Sequence, residues 1–151
     1  MSETPTQLRK VCNHPYLVKG VEDRILTDAA TNWKGKDENG NDQPVDYIKL
    51  FGEQLVKSSG KMVLLEKLLL KLFTGGHKVL IFSQMVRVLD LLEEFLKIQK
   101  YRYERLDGSK SSSARASAVD RFNRKACQRF VMLLSTRAGT TGSFFWITTR
   151  L

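Results

Sequence analysis

The hydrophobic pattern of the chain is strongest in the stretch from Lys78 to Ile98, and the neighbouring segments are best interpreted from it. Only apolar residues, several of them β-branched or aromatic, lie between Lys78 and Ser83, which predicts a strand buried on both faces. From Met85 onward the apolar residues recur three and four positions apart, which predicts an amphipathic helix. A buried strand that leads into a helix and then into another strand is half of a layered α/β domain.

Two further strands are predicted downstream. Tyr101–Leu106 alternates aromatic and charged residues, and Phe130–Leu134 is a second buried run. Between them, Ser111 or Ser112 can cap a helix that runs to Asn123. This helix is expected to turn three apolar residues inward and three basic residues outward. They are Ala118, Val119 and Phe122 on the inner side and Arg115, Arg121 and Arg124 on the outer side.

The pattern upstream of the first strand is weaker. Leu8–Val18 predicts a short helix that stops near Asn13, because Pro15 disfavours helix before it. Between residues 23 and 46 the periodicity dissolves, and residues 32–44 are polar and rich in turn formers. We expect this segment to be a long surface loop or a disordered insert.

A further helix is predicted for Met62–Phe73, ended by Gly75–Gly76. The pair Gly60–Lys61 in front of it resembles part of a P-loop. A P-loop needs a glycine five residues before that pair and Ser or Thr after it, and this chain has Leu55 and Met62 there. We therefore predict no phosphate-cradling loop at this position.

Composition adds one departure from an ordinary soluble domain. The 151 residues are 42% hydrophobic and 27% charged, enough for one globular domain and too few for two ordinary ones. The net charge of +9 favours polyanionic partners such as nucleic acid. Many basic proteins bind no nucleic acid, so the charge alone leaves both alternatives open.

The cysteines and histidines indicate little chemistry of their own. Cys12 and Cys127 are too far apart in sequence to suggest a disulfide framework, which favours an intracellular setting. Neither an apolar run of about 18 to 20 residues nor a signal-peptide pattern is visible, so no membrane association is expected. Cys12 and His14 could start a metal site, but the chain has only two cysteines and two histidines. We predict a packed or capping role for His14 and no metal site.

The carboxyl ends of the three predicted strands carry the candidate binding residues. In a parallel sheet, ligands bind at these ends. Hydroxyl groups, backbone amides and arginine suit a phosphate backbone, whereas ordinary turn chemistry is the alternative that spacing leaves open. No catalytic residue is predicted, because no Ser-His-Asp, Cys-His or paired-carboxylate arrangement is visible. The strand-end residues are Ser83, Gln84, Asp107, Gly108, Ser109, Ser135, Thr136 and Arg137.

Six ordered blocks resemble the second RecA-like lobe, the helicase C-terminal domain, of the Swi/Snf-type chromatin-remodelling ATPases. The blocks are Cys12–Leu17, Ser59–Lys61, Lys78–Met85, Tyr103–Ser109, Asp120–Asn123 and Leu133–Gly139. Val18–Glu22 most resembles the chromodomain-helicase-DNA-binding branch. The resemblance covers residues 7–139.

The resemblance implies a partial RecA-like lobe of the α/β class, with three parallel strands, flanking helices and a sheet incomplete at the C-terminus. It also implies a nuclear motor that hydrolyses ATP with Mg²⁺, moves along double-stranded DNA and slides nucleosomes together with a first RecA-like lobe. By motif, Ser83, Gln84, Ser135 and Thr136 would contact DNA, as would Asp107, Gly108 and Ser109 with Arg115. Arg137, Ala138 and Gly139 would couple that contact to the nucleotide site.

The chain also departs from the family pattern after Gly139, where only Gly142 keeps the family spacing. Motif VI, whose arginines reach the γ-phosphate, and the first lobe with its P-loop are not found in these residues. We therefore expect a motor fragment that is inactive alone, or alternatively a non-catalytic DNA- or partner-binding module from a truncated product. The expected segments are an N-terminal helix and polar loop (1–57), the partial lobe (58–139) and a divergent apolar tail (140–151).

Overall fold

In the computed structural model, which describes residues 3–33, 44–109, 111–124 and 128–136, the three predicted strands pair in parallel. The strands are β1 (Val79–Ser83), β2 (Tyr103–Leu106) and β3 (Val131–Ser135), in the spatial order β1-β3-β2. The chain divides into two compact units, residues 1–67 and 68–151, and the sheet belongs to the second. The expected fold class, three parallel strands with flanking helices, is confirmed.

The strand at the centre of the sheet is β3, not β1. All five residues of β3 are buried, because it has a neighbour on each side. Among the described residues β1 pairs with β3 alone, and Phe82 of β1 is 41% exposed. The expectation that β1 is buried on both faces is therefore wrong. An apolar run shows that a strand belongs to a sheet, but it does not show whether the strand is central or at an edge.

Three helices of the chain connect or precede these strands. They are α4 (Gly60–Thr74), which begins in the first unit and ends in the second, α5 (Val86–Ile98) and α6 (Ser112–Asn123). Ser111 caps α6, since its Oγ accepts a hydrogen bond from the backbone N–H of Ala114 at 3.3 Å. The residues predicted to face inward from α6 pack with both neighbouring strands. This core comprises Leu106, Ala118, Val119, Phe122, Met132 and Leu134.

The first unit contains more helix than its pattern predicts. It holds α1 (Glu3–Asn13), a 3₁₀ helix (Pro15–Leu17), α2 (Val21–Thr31) and α3 (Tyr47–Lys57), besides the start of α4. The interpretation of residues 23–46 as unpatterned is wrong for the part that forms α2. Residues 34–43 lie outside the described residues.

Charge at the start of α2 and a side-chain cap at the start of α3 account for these two unpredicted helices. In α2, acidic residues occupy the first turn, where the helix dipole favours negative charge, and the Thr27 hydroxyl donates to the Asp23 carbonyl at 2.7 Å. In α3, Asp46 is the N-cap, since its carboxylate accepts hydrogen bonds from the N–H groups of Ile48 and Lys49 at 3.1 Å. The buried residues of α3 are Leu50, Leu55 and Val56.

His14 is both packed and capping, as predicted. Its side chain is buried at 2% exposure, and Nδ1 accepts a hydrogen bond from the Tyr16 N–H at 3.1 Å. Nε2 therefore carries the proton and donates to the carbonyl of Leu55 at 2.8 Å. Burial lowers the pKa of His14, against the opposing effect of the hydrogen bond to Leu55. Within the described ranges, no three His, Cys, Asp or Glu side chains are grouped to bind a metal, and no helix is long and apolar enough to cross a membrane.

Candidate nucleic-acid interface

The carboxyl ends of the three strands meet at one edge, which we call the carboxyl edge and define as residues 83–85, 107–109 and 135–136. Ser83 and Ser135 lie opposite each other in the β1–β3 register, and the Thr136 N–H donates to the Ser83 carbonyl at 3.1 Å. Leu106 lies opposite Leu134, so the residues that follow β2 lie beside the end of β3. The predicted juxtaposition of the three strand ends is therefore present.

The Ser83 hydroxyl shapes the turn between β1 and α5. Its Oγ accepts a hydrogen bond from the Met85 N–H at 3.1 Å and donates to the Met85 carbonyl at 2.9 Å. These two bonds fix the backbone around Gln84, whose side chain is exposed. At this strand end, Ser83 acts on the shape of the loop and Gln84 is the residue presented to solvent.

Asp107 organises the turn at the end of β2. It is buried at 7% exposure, and its Oδ1 accepts hydrogen bonds from the Ser109 N–H at 3.0 Å and from the Ser109 hydroxyl. The hydroxyl bond is the main cause of the lowered pKa of Asp107, with burial acting in the opposite direction. Gly108 and Ser109 are exposed. Asp107 therefore holds the turn from inside and leaves these two residues on the surface.

Arg105, which the sequence did not single out, connects this turn to α5. Its guanidinium contacts Asp107 at 2.9 Å, Asp90 at 2.7 Å and Glu93 at 2.6 Å, and its side chain is only 17% exposed. Burial acts to lower the pKa of Arg105, but the hydrogen bonds to the three carboxylates raise it. Glu93 also accepts a hydrogen bond from the Tyr103 hydroxyl at 2.8 Å. The position of Asp107 is thus fixed from both the strand and the helix.

The alternation of β2 accounts for this arrangement and could have predicted part of it. Tyr103 and Arg105 lie two residues apart, so both side chains point to the α5 side of the sheet. Asp90 and Glu93 are three residues apart on α5 and therefore share one face of the helix. The alternation along β2 and the three-residue spacing on α5 therefore predict an ion-pair cluster only if α5 is already known to pack on that side of β2.

The opposite side of β2 forms a second ion-pair cluster, which corrects one expectation. Arg121, predicted to point outward, contacts Glu104 through Nε at 2.8 Å and through Nη2 at 3.2 Å. Arg129 pairs with the same carboxylate. Arg115 reaches the Asp107 carbonyl at 3.5 Å, and Arg124 is exposed. Arg121 lies within reach of Glu104 because α6 packs along β2. The spacing of residues within the helix does not reveal this packing.

A cleft of about 580 Å³ lies beside β2, lined by residues of both clusters. Its charged groups already pair with one another, as Arg105 does with Asp107 and Arg121 with Glu104. The cleft is therefore a polar surface on which three carboxylates, Glu93, Glu104 and Asp107, face two arginines that pair with them. Of the candidate residues, Arg137, Ala138 and Gly139 lie outside the described residues.

Comparison with known proteins defines the class. The model of the helicase conserved C-terminal domain matches residues 60–143, more than half of the chain. The chain belongs to this family. The strand ends described above are thus the strand ends of a helicase C-terminal domain.

Several proteins similar to this chain are chromodomain-helicase-DNA-binding proteins. It is 49% identical over 139 residues to chromodomain-helicase-DNA-binding protein 8 of Xenopus tropicalis, covering 92% of this chain and 6% of that protein. The human protein 8 is also 49% identical, with 5% of its length covered. The crystal structure of the C-terminal part of the Fun30 ATPase domain matches 89% of this chain and 52% of that one, with 30% identity and a TM-score of 0.60. The chain therefore spans only a small part of the relatives it matches.

Proposed function

We propose that this chain is a piece of the motor of an ATP-dependent chromatin remodeller. In this proposal it is the lobe that contacts the backbone of double-stranded DNA and helps to close the ATP site during translocation and nucleosome sliding in the nucleus. Its partners would be DNA, nucleosomes and the first RecA-like lobe. Membership of the helicase C-terminal family and the similarity to chromodomain-helicase-DNA-binding proteins support the proposal.

The observation that carries the proposal is the chemistry of the carboxyl edge. Its exposed residues Gln84 and Thr136 offer an amide and a hydroxyl group, which bind phosphate oxygens without reading base sequence. The two donors of Ser109 are already used by Asp107, so Ser109 shapes the turn beside them. Hydrogen bonds of Ser83 and Asp107 fix the loops that carry them. Because the loops are already ordered, DNA binding would lose little conformational entropy there.

Gly108 strengthens this interpretation, because the fold itself does not require a glycine at that position. A Cβ added to Gly108 would meet no atom within 4 Å, and the residue is exposed. At the carboxyl edge, glycine and the open space around it leave room for another molecule to approach the backbone closely. A phosphate of the DNA backbone fits that description.

ATP and Mg²⁺ belong in this proposal to the full-length protein. The described residues group no three carboxylates or histidines for a metal, and these 151 residues contain no P-loop sequence. In this proposal, nucleotide and metal are held by residues other than those described. We expect the 151-residue chain alone to show no DNA-stimulated ATP hydrolysis. The proposed coupling role of Arg137, Ala138 and Gly139 applies only together with the first lobe.

The Gly108→Ala variant tests the DNA contact separately from folding. An added methyl group should leave the free energy of unfolding unchanged or raise it by about 0.4 to 1 kcal/mol, since the unfolded chain loses freedom. It should weaken binding to a short DNA duplex several-fold, because the methyl group would stand between backbone and phosphate. Fluorescence anisotropy gives the affinity and urea unfolding gives the stability.

Gly60→Ala is the matched control, because a Cβ at Gly60 also meets no atom within 4 Å. It should leave DNA affinity unchanged. Equal DNA affinity for Gly108→Ala and the unmodified chain would contradict a phosphate contact at the turn. DNA-stimulated ATP hydrolysis by the pure chain would contradict the assignment as one lobe of a two-lobed motor.

A further inference from the structure

The opposite edge of the sheet, at the amino ends of the strands, carries a concentration of positive charge. We define this amino edge as the described residues 75–78, 99–102, 124 and 128–130. These segments contain five basic residues and no aspartate or glutamate. The basic residues are Lys78, Lys100, Arg102, Arg124 and Arg129.

Backbone pairing brings these segments together in space. The Val79 N–H donates to the Phe130 carbonyl at 2.9 Å, and the Phe130 N–H donates to the Arg102 carbonyl at 2.8 Å. Lys78 and Arg102 therefore begin the two outer strands on either side of Phe130. Since neighbouring strands lie about 4.8 Å apart, their backbones are roughly 10 Å apart. The charges lie across one edge instead of being scattered over the surface.

The five cations divide into two structural and three exposed ones. Lys78 Nζ donates to the carbonyls of Phe122 and Arg124, and Arg129 pairs with Glu104. The side chains of Lys100, Arg102 and Arg124 are exposed, and no carboxylate of the described residues forms an ion pair with them. These three residues carry positive charge that no carboxylate of the described residues pairs with.

Aromatic side chains lie between the cations. The rings of Phe73, Tyr101 and Phe130 form a mutual cluster with centroid separations of 5.1, 5.1 and 5.2 Å. Phe130 is buried, while Phe73 remains 52% exposed. Aromatic rings among cations are typical of surfaces that bind nucleic acids, where rings contact bases or sugars and cations contact phosphates.

We propose that the amino edge is a second surface for the nucleic-acid backbone, with Lys100, Arg102 and Arg124 as its phosphate contacts. It lies at the other end of the strands from the contact proposed above. The five residues of β1 span roughly 16 Å at about 3.3 Å per residue, so the two edges would hold different stretches of backbone. An acidic peptide would also be attracted by the charge, but the exposed aromatic ring favours a nucleic acid.

The experiment replaces the three exposed cations by glutamine, as Lys100→Gln, Arg102→Gln and Arg124→Gln together in the 151-residue chain. Affinity for a short DNA duplex is measured by anisotropy between about 50 and 200 mM salt. The slope of log affinity against log salt is negative, and each lost phosphate contact should reduce its magnitude by about 0.9, so the magnitude should fall by roughly 2 to 3. Unchanged circular dichroism and urea midpoint establish that the variant is folded.

The matched control removes the same charge elsewhere, as Lys19→Gln, Arg24→Gln and Lys67→Gln at exposed positions. Its slope should change by less than one. Equal effects of the two triple variants would show a response to net charge only and would overturn the proposal. A polyglutamate peptide of matched charge tests for competition at the amino edge in the Gly108→Ala variant. If it displaces DNA from that variant as effectively as unlabelled duplex does, the proposal is overturned in favour of an acidic partner.

The two proposals fail independently. Suppose that Gly108→Ala binds the duplex normally while the amino-edge triple variant shows a weaker salt dependence of binding. The proposal of a carboxyl-edge contact is then contradicted and the proposal of an amino-edge surface is supported. If the triple variant keeps its slope while Gly108→Ala binds weakly, the reverse holds.

Discussion

The two edges of the sheet are built on different physical principles. The carboxyl edge is ordered by hydrogen bonds within its loops, and its described segments contain one acid, Asp107, and no lysine or arginine. The amino edge is ordered by an aromatic cluster around Phe130 and carries five bases and no acid. The edge with the better-defined shape is therefore not the edge with the larger charge.

The difference between the two edges separates the attraction of a polyanion from the placement of its phosphates, two properties that are often inferred together for a basic protein. Positive charge attracts a polyanion over a distance and governs the salt dependence of binding. Ordered hydroxyl and amide groups define where a phosphate fits once it arrives. In this chain the described residues assign the first property mainly to the amino edge and the second to the carboxyl edge. The net charge of +9 is thus no guide to the position of the backbone contact that we propose at the carboxyl edge.

The largest expected effect comes from removing the centre of the amino-edge aromatic cluster. Phe130→Ala deletes a ring that is 4% exposed and packs on two others, so it should lower the free energy of unfolding by about 3 to 5 kcal/mol. Phe73→Ala is the control, because that ring is 52% exposed and its loss should cost less than half as much. Urea unfolding measures both. Equal losses would contradict the view that Phe130 anchors this edge.

The next effect concerns the order of the carboxyl edge. Arg105→Gln leaves three carboxylates without their common partner and should lower the free energy of unfolding by about 2 to 3 kcal/mol. It should also weaken DNA binding, because Asp107 would no longer be held from α5. Arg121→Gln is the control and should cost less, since Arg121 is 41% exposed and contacts one carboxylate. If Arg105→Gln leaves DNA affinity unchanged, the ion pairs of Arg105 do not position the Asp107 turn for the proposed DNA contact.

The Asp107 turn of the carboxyl edge, with the ion-pair cluster of Arg105 that supports it, should be more acid-sensitive than the amino edge. Hydrogen bonds lower the pKa of Asp107 below its ordinary value of 3.8, and those from Tyr103 and Arg105 outweigh burial to lower the pKa of Glu93 below 4.5. The unfolded chain then binds more protons than the folded chain in acid. The stability from these carboxylates is complete above their ordinary pKa values and is lost as the pH falls through the lowered ones.

Asp107→Asn provides the test of this acid dependence. Stability measured by urea unfolding between neutral pH and pH values below the ordinary pKa of Asp107 should fall less steeply in the variant than in the unmodified chain. Identical pH profiles would mean that Asp107 does not contribute through its charge.

The sequence predicted the strands well because their apolar runs are short and bounded by turn residues. All three strands, the amphipathic α5 and the Ser111 cap are found where the pattern indicates. It could not show that β3 is central, because the order of parallel strands depends on pairing between distant residues. Among the candidate site residues, the shared position of the strand ends was predictable from the parallel topology alone.

The features that the sequence did not predict, α3 and the role of Arg105, have a local and a long-range cause respectively. The first turn of α3 was signalled by Asp46, an N-cap residue before an apolar helical pattern, but the polar residues in front of it hid that signal. Arg105 was missed because two of its three partners, Asp90 and Glu93, lie on α5, and no spacing along the chain joins them to β2. Only the packed structure shows that this residue connects the Asp107 turn to α5.

The most direct test of the central claim is a map of amide chemical shifts by NMR while the 151-residue chain is titrated with a DNA duplex at low salt. The account predicts that Gln84, Gly108, Ser109 and Thr136 shift together and saturate at one affinity, which would locate the backbone contact at the carboxyl edge. Saturable binding that leaves these four amides unchanged would contradict the claim.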